Sequence, residues 1–398
     1  MPLPPYHTHH SSIFRQRRSP IMFRSLFPVT DQSASTLSSE NTVFLRRSFA
    51  ALISVIALFF LYYSAAFLLF PSDTSSTSSH DLRFVFPQND VVSSQDSEEY
   101  SLERVLNRAA TKEKTVIVTT LNEAWAAPNS IIDLFLESFR IGDHTRGYLN
   151  HLVIVALDDK AFRRCLSIHL HCVALVTEGV DFSKEAYFMQ PDYLKMMWRR
   201  IEFLQSVLEM GYNFVFTDAD VMWFRDPFTH FDLDADFQIA CDHFSGDPFD
   251  VDNRPNGGFN YVKSNNRSIE FYKFWHSARK YFPGYHDQDV LNFIKHNPYI
   301  AEIGLKMKFL DTAYFGGFCE PSKDLNQVCT MHANCCVGMA NKVFDLKILL
   351  QDWKLFMSLP PSLKRAQRYS WRAPKNCSLQ VFHAANAPNE SEKSEHAI

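Results

Sequence analysis

From Thr115 onward, short apolar runs alternate with longer amphipathic segments, and this alternation restricts the fold more than any other feature of the chain. Thr115–Thr120, Leu152–Leu157, Cys172–Leu175 and Tyr212–Thr217 are short and rich in β-branched or aromatic residues, which predicts buried strands. Asn129–Arg140 lies between two of them and places Ile131, Leu134, Phe135 and Phe139 on one helical face. Asp192–Met210 predicts a long helix, closed by Gly211 as a C-cap. The pattern predicts an α/β domain with a mostly parallel central sheet flanked by helices. In such sheets ligands bind beyond the carboxyl ends of the strands. The last strand of the series runs straight into Asp218-Ala219-Asp220.

Two carboxylates one residue apart at a strand end are costly unless something positive meets them. A hard divalent cation is the natural partner, and Mg²⁺ or Mn²⁺ is commonly held by one or two carboxylates together with substrate phosphates. The motif therefore suggests a cation bridging the protein to a diphosphate. A carboxylate held for that purpose repels its neighbour in the apo protein, so its removal is expected to leave stability unchanged or slightly raised.

The 398-residue chain is 46% hydrophobic, which is ample for a core. Its formal net charge of -4 does not suggest nucleic-acid binding. Phe49–Phe70 is an uncharged apolar run, about the ~20 residues that span a bilayer, and Pro71 ends it. Arg15, Arg17, Arg18, Arg24, Arg46 and Arg47 precede it, against Asp31 and Glu40 alone. By the positive-inside rule the N-terminus stays cytosolic and the rest is luminal. A cleaved signal peptide would have a shorter apolar core nearer the start. The expected organisation is a disordered tail (1–48), a signal anchor (49–70), a Ser- and Asp-rich stem with one short helix near Leu102 (71–113), a catalytic domain (114–385) and a flexible tail (386–398). All eight cysteines follow the anchor, as an oxidising lumen allows. The group Cys319, Cys329, Cys335 and Cys336 lacks the paired spacing of a zinc site, so disulfides are expected there. Asn266, Asn376 and Asn389 begin N-glycosylation sequons.

Other segments supply what a cation–diphosphate site needs. Asn256-Gly257-Gly258 suits either close backbone approach to a ligand or a hairpin turn. Asp287-Gln288-Asp289 opens an amphipathic helix, with Asp287 also suited to an N-cap. His332 sits in a Cys-rich loop and is a candidate third ligand beside Asp218 and Asp220. Lys195, Arg199 and Arg200 lie on the helix before the motif, where cations would help neutralise phosphates. Thr119, Lys195, Arg199, Asp218, Ala219, Asp220, Asn256, Gly257 and Gly258 are the candidate contacts for such a diphosphate ligand.

Thr217-Asp218-Ala219-Asp220-Val221-Met222-Trp223-Phe224-Arg225-Asp226-Pro227-Phe228, the preceding Lys195–Arg200, Asn256–Asn260, His286–Asp289 and His332–Cys336 together resemble the plant nucleotide-diphospho-sugar transferase domain, glycosyltransferase family 77. The resemblance covers roughly residues 114–360. It implies a GT-A type nucleotide-sugar-binding fold, a UDP-sugar donor of the arabinose, xylose or galactose class, Mn²⁺ or Mg²⁺, and retention of anomeric configuration. It assigns Asp218, Asp220 and His332 to the metal. Asp287, Gln288 and Asp289 fall near the sugar and acceptor, for positioning and charge stabilisation. The acceptor would be a cell-wall polysaccharide or glycoprotein, and the setting a single-pass type II protein of the Golgi membrane. Whether it forms a homo- or hetero-oligomer is left open. A non-catalytic glycan-binding protein would keep the fold without turnover. A D-x-D phosphatase would carry its nucleophile on the first strand, which here ends Thr119-Thr120-Leu121-Asn122.

Overall fold

Every residue of strand β1 (Thr115–Leu121) except Thr120 is buried, so helices must cover the sheet on both faces. The computed structural model describes residues 100–175, 177, 182–183, 190–366 and 369–377, all within one compact unit. The expected cytosolic tail, anchor and C-terminal tail, and most of the stem, lie outside the described residues. Among those described, no helix is long and apolar enough to cross a membrane.

The elements follow in the order α1 (Leu102–Ala109), β1, α2 (Ile131–Ile141), β2 (Leu152–Ala156), α3 (Asp159–Ile168), β3 (Cys172–Ala174), α4 (Pro191–Glu209), β4 (Asn213–Thr217), β5 (Val221–Trp223), β6 (Phe237–His243), β7 (Arg254–Val262), α5 (Asn266–Ala278), α6 (Asp287–Ile294), β8 (Met307–Phe309), β9 (Phe315–Gly317), β10 (Thr330–His332) and α7 (Met339–Ser358). The main sheet has seven strands in the order β3-β2-β1-β4-β7-β6-β8. Within it β7 alone runs against the rest. The expected mostly parallel α/β sheet is what forms.

The side-chain period of two divides the core into two layers. Val116, Val118, Val153, Val155, Phe214 and Phe216 point to one layer, which α4 and α5 close with Phe203, Leu204 and Trp275. Ile117, Leu121, Ile154 and Val215 point to the other, closed by Phe135 and Phe139 of α2 and Trp353 of α7. Residues 100–113, read from sequence as the end of the stem, hold α1, whose Leu102, Val105, Leu106 and Ala109 are buried in the first layer. The folded core therefore begins before residue 114.

The chain runs from β1 out to β3 and returns to β4 on β1's other side. The carboxyl ends of β1 and β4 thus flank the point where the strand order reverses, the crevice where ligands bind in open α/β sheets. Asp218 lies at that crevice because it directly follows β4.

Disulfides join Cys165 to Cys172, Cys319 to Cys335 and Cys336 to Cys377. The Cys-rich loop is thus tied by two separate bridges, and Cys329 takes part in neither. Cys241 and Cys329 are free and buried, and burial pushes the Cys329 thiol up to about 12. Peptide mapping without reductant should recover these three bridges. A thiol reagent should label Cys241 and Cys329 only after unfolding; labelling of either in the folded protein would contradict the packing.

Candidate active site

A tight turn follows β4. The Asp218 N–H donates to the Gly258 carbonyl at 2.7 Å, and the Val221 N–H donates back to the Asp218 carbonyl at 3.1 Å. β5 then pairs antiparallel with β10, placing His332 opposite Val221, while the Ala333 N–H donates to the Asp220 carbonyl at 3.0 Å. This short ladder brings a histidine from far along the chain to the two aspartates. His332 Nε2 lies 3.2 Å from Asp220 Oδ1 and 3.9 Å from Asp218 Oδ2. Asp218, Asp220 and His332 each offer one ligand atom, all within 4.8 Å of one another.

Two cations complete the electrostatics. Lys342 Nζ is 2.6 Å from Asp220 Oδ2 and lies over the Trp125 ring. Arg200 donates through Nη1 to Asp218 Oδ1 at 3.0 Å and through Nη2 to Asp287 Oδ2 at 2.5 Å. Burial would raise the Asp220 pKa, but Lys342 and His332 outweigh it and hold the carboxyl below the usual range. Burial raises that of Asp218, with Asp220 adding to the rise and Arg200 opposing it. Burial likewise works against Asp287, yet Arg200 and His286 bring it down to about 2. Burial lowers the His332 pKa and Asp220 more than restores it, leaving the imidazole above its ordinary value.

Buried polar atoms are normally hydrogen-bonded. Among the described residues, Arg200 Nε, Asp220 Oδ1 and Asp287 Oδ1 of this site are buried without a hydrogen bond, as is Thr119 Oγ1 of β1. Although His332 is near Asp220 Oδ1, no hydrogen bond aligns between them. A buried carboxylate oxygen left over beside a second carboxylate and an imidazole is the donor set a divalent cation would take up.

Strand β7 forms one wall. The glycine pair lies inside this strand rather than in a hairpin turn. A Cβ on Gly258 would meet His332 Cε1 at 2.5 Å and Asp218 Oδ2 at 2.7 Å, and one on Gly257 would meet Arg200 at 3.3 Å. Close backbone approach is therefore the reason for both glycines. Asn256 donates through Nδ2 to Asp242 Oδ1 at 2.8 Å and accepts from the Gly258 N–H at 2.8 Å. Gln288 accepts from the Gly257 N–H at 3.0 Å and donates to Asp242 Oδ2 at 2.9 Å. Ala219 is buried in the turn between the two aspartates.

The N-cap of α6 is His286, which accepts from the Gln288 N–H at 3.1 Å, rather than Asp287. Asp287 is the first helical residue, which leaves its carboxylate for Arg200. Asp289 turns instead to His286 Nε2 at 3.3 Å, away from the aspartate pair. Lys195 and Arg199 do not reach the aspartates: Lys195 pairs with Asp192 and Arg199 with Glu202. The helical period explains this correction. Arg200 shares the buried stripe of Met197, Leu204 and Val207, while its two neighbours in charge face the other way.

Sequence reasoning did not single out Lys342, Asp242 or Asn334, and left Arg200 outside the donor contacts. Asn334 donates to Asp242 Oδ1 at 2.8 Å. A cation on an apolar helical stripe is a legible signal for Arg200. Asn334 lies within the His332–Cys336 segment but was given no role there, while Lys342 and Asp242 lie in no motif, and only packing brings them in.

The family model for the nucleotide-diphospho-sugar transferase matches residues 147–346, half of the chain. An uncharacterized Arabidopsis thaliana protein is 52% identical over 70% of this chain and 74% of its own length. This chain belongs to the nucleotide-diphospho-sugar transferase family. It is thus a glycosyltransferase. A second uncharacterized Arabidopsis protein is 41% identical over 62% of the transferase and 76% of its own length. UDP-D-xylose:L-fucose alpha-1,3-D-xylosyltransferase 3 of Arabidopsis is 23% identical over 51% of the transferase and 48% of itself.

Arg200→Ala would leave Asp218 and Asp287 facing each other without their shared cation. Chemical denaturation should show a loss of about 3–5 kcal/mol, and Arg200→Lys, which cannot bond both acids in one plane, should fall between. A loss below ~1 kcal/mol for the alanine variant, the range of a surface ion pair, would refute the buried bridge. Gly258→Ala should cost about 1–3 kcal/mol through the forced contact with His332 and Asp218; an unchanged melting temperature would show that β7 can retreat.

Proposed function

We propose that this transferase moves a sugar from a UDP-sugar to a glycan or glycoprotein acceptor, using a divalent cation held by Asp218, Asp220 and His332. The observation that carries this reading is the convergence of Asp218, Asp220 and His332, one ligand atom from each within 4.8 Å of the others, with His332 Nε2 at 3.2 Å the near neighbour of the buried Asp220 Oδ1. The mixed oxygen and nitrogen set favours Mn²⁺, with Mg²⁺ as the alternative. The reversed strand beside the D-x-D strand suits the expected GT-A type fold. The xylosyltransferases among the relatives make UDP-xylose the first donor to test.

A bound cation would supply charge neutralisation to the diphosphate as it departs. Lys342 stands at the same carboxylate and can exchange Asp220 for a phosphate oxygen. Arg200 keeps Asp287 ionised beside Gly257, on the side where a sugar would lie. Asp242 adds a second, half-buried carboxylate there, held by the amides of Asn256, Gln288 and Asn334. Two negative groups next to the anomeric carbon would stabilise an oxocarbenium-like transition state. Retention, with the acceptor attacking from the leaving-group face, belongs to the same proposal. So does a single-pass Golgi membrane setting, supported by the arginine asymmetry around Phe49–Phe70 and by the three disulfides.

Lys342 alters one sequence-based expectation. Asp220→Ala leaves that lysine unpaired, so the apo variant should lose stability rather than gain it. The decisive readout is therefore ligand-dependent. UDP with Mn²⁺ should raise the melting temperature of the wild type. Asp220→Ala should abolish that rise together with sugar transfer, and His332→Ala should weaken both. An undiminished UDP/Mn²⁺ shift in the Asp220 variant, or full activity in chelator, would defeat the assignment.

A further inference from the structure

The face of α4 turned away from Arg200 lines a cavity of about 440 Å³. Trp198, Phe282 and Tyr285 give it aromatic walls, and Arg199, Glu202 and Thr177 give it polar groups. Among the described residues, Arg199 Nε and Thr177 Oγ1 are buried there without a hydrogen-bond partner. Phe293 stacks on Phe282 and meets Tyr285 edge-on, extending the aromatic surface at the rim.

The cavity is physically tied to the active site. Trp198 Nε1 donates to the Tyr285 carbonyl at 3.2 Å, and two residues later Asp287 bonds Arg200. The segment from Tyr285 to Asp287 thus runs from the cavity rim to the aspartate site. A helix with its side chains is about 10–12 Å across, so the two faces of α4 are separated by more than a single sugar ring spans. The walls suit a sugar's chemistry. Aromatic rings cover the apolar C–H face of a pyranose or furanose, while Arg199 Nε and Thr177 Oγ1, beside the Arg199–Glu202 pair, can take up its hydroxyls.

We propose that this cavity is a distal acceptor subsite, binding glycan units remote from the hydroxyl that reacts. The proposal rests on the glycosyltransferase reading above and adds where acceptor length is recognised.

The test uses the full-length chain with arabino-, xylo- and galacto-oligosaccharides, each as a monosaccharide glycoside and as a tetrasaccharide. Calorimetry reads glycan affinity, and a separate titration reads UDP–Mn²⁺ affinity. Wild type should bind at least one tetrasaccharide more tightly than its monosaccharide. Trp198→Ala and Tyr285→Ala should each lose about tenfold of that advantage and keep UDP–Mn²⁺ affinity. Tyr285 is 45% exposed, so its variant serves if Trp198→Ala fails to fold. No length advantage in the wild type, or an advantage retained in the variants, would overturn the proposal. A parallel fall in UDP–Mn²⁺ affinity would overturn it too, by assigning the face to the donor. Absence of UDP–Mn²⁺ binding in the wild type would remove the donor reading itself, and this one with it.

Discussion

Arg200 is the interaction on which the site depends. Its guanidinium is buried between Asp218, at the end of β4, and Asp287, at the start of α6. Without a cation between them, the buried Asp287 and the half-buried Asp218, on separate elements, would repel or protonate. With one, the start of α6 is drawn against the sheet edge and Asp287 stays charged. Phe216 beneath the guanidinium adds a cation–π contact, and β7 fits beside it because Gly257 has no side chain. The cost of burying Arg200 and Asp287 is met by geometry that removal of either would spoil.

Around this bridge the site divides by charge. Lys342, His332 and the outer edge of Arg200 face Asp218 and Asp220, where a diphosphate and its cation would sit. Asp287 and Asp242 lie beside Gly257 and Asn256 of β7, where Arg200 and His286 contact Asp287 and neutral amides hold Asp242. Asp242 is held by neutral amides, and burial raises its pKa. A cation bound at Asp218 and Asp220 would make that side positive, the polarity that departure of a diphosphate from a sugar would need.

The Cys319–Cys335 disulfide belongs to this arrangement. The Cys319 N–H donates to Asn334 Oδ1, and Asn334 donates on to Asp242. The bridge thereby fixes the loop that carries His332 at one end and the amide partner of Asp242 at the other. Cys336, the next residue, is tied separately to Cys377, and the Asn376 and Cys377 N–H groups donate to the buried Asp345 of α7, the helix that presents Lys342.

The sequence by itself determined the sheet and the aspartate pair. Short, continuously apolar runs separated by amphipathic segments can bury their side chains only as strands covered on both faces, and the D-x-D follows such a strand directly. The glycines of β7, His332 and the Asp287–Gln288 segment were legible as chemistry waiting for a partner. Tertiary structure decided which charges meet. Lys195, Arg199 and Arg200 are alike in composition and adjacent on one helix, but a turn of about 100° per residue sends only Arg200 inward. Lys342 and Asp242 carry no local pattern, because a buried ion pair or amide cage is specified by contacts between distant segments. Their positions follow from β5 pairing with β10, from β7 lying against β4, and from α7 closing the second core layer, and none of these is a property of any short stretch of chain.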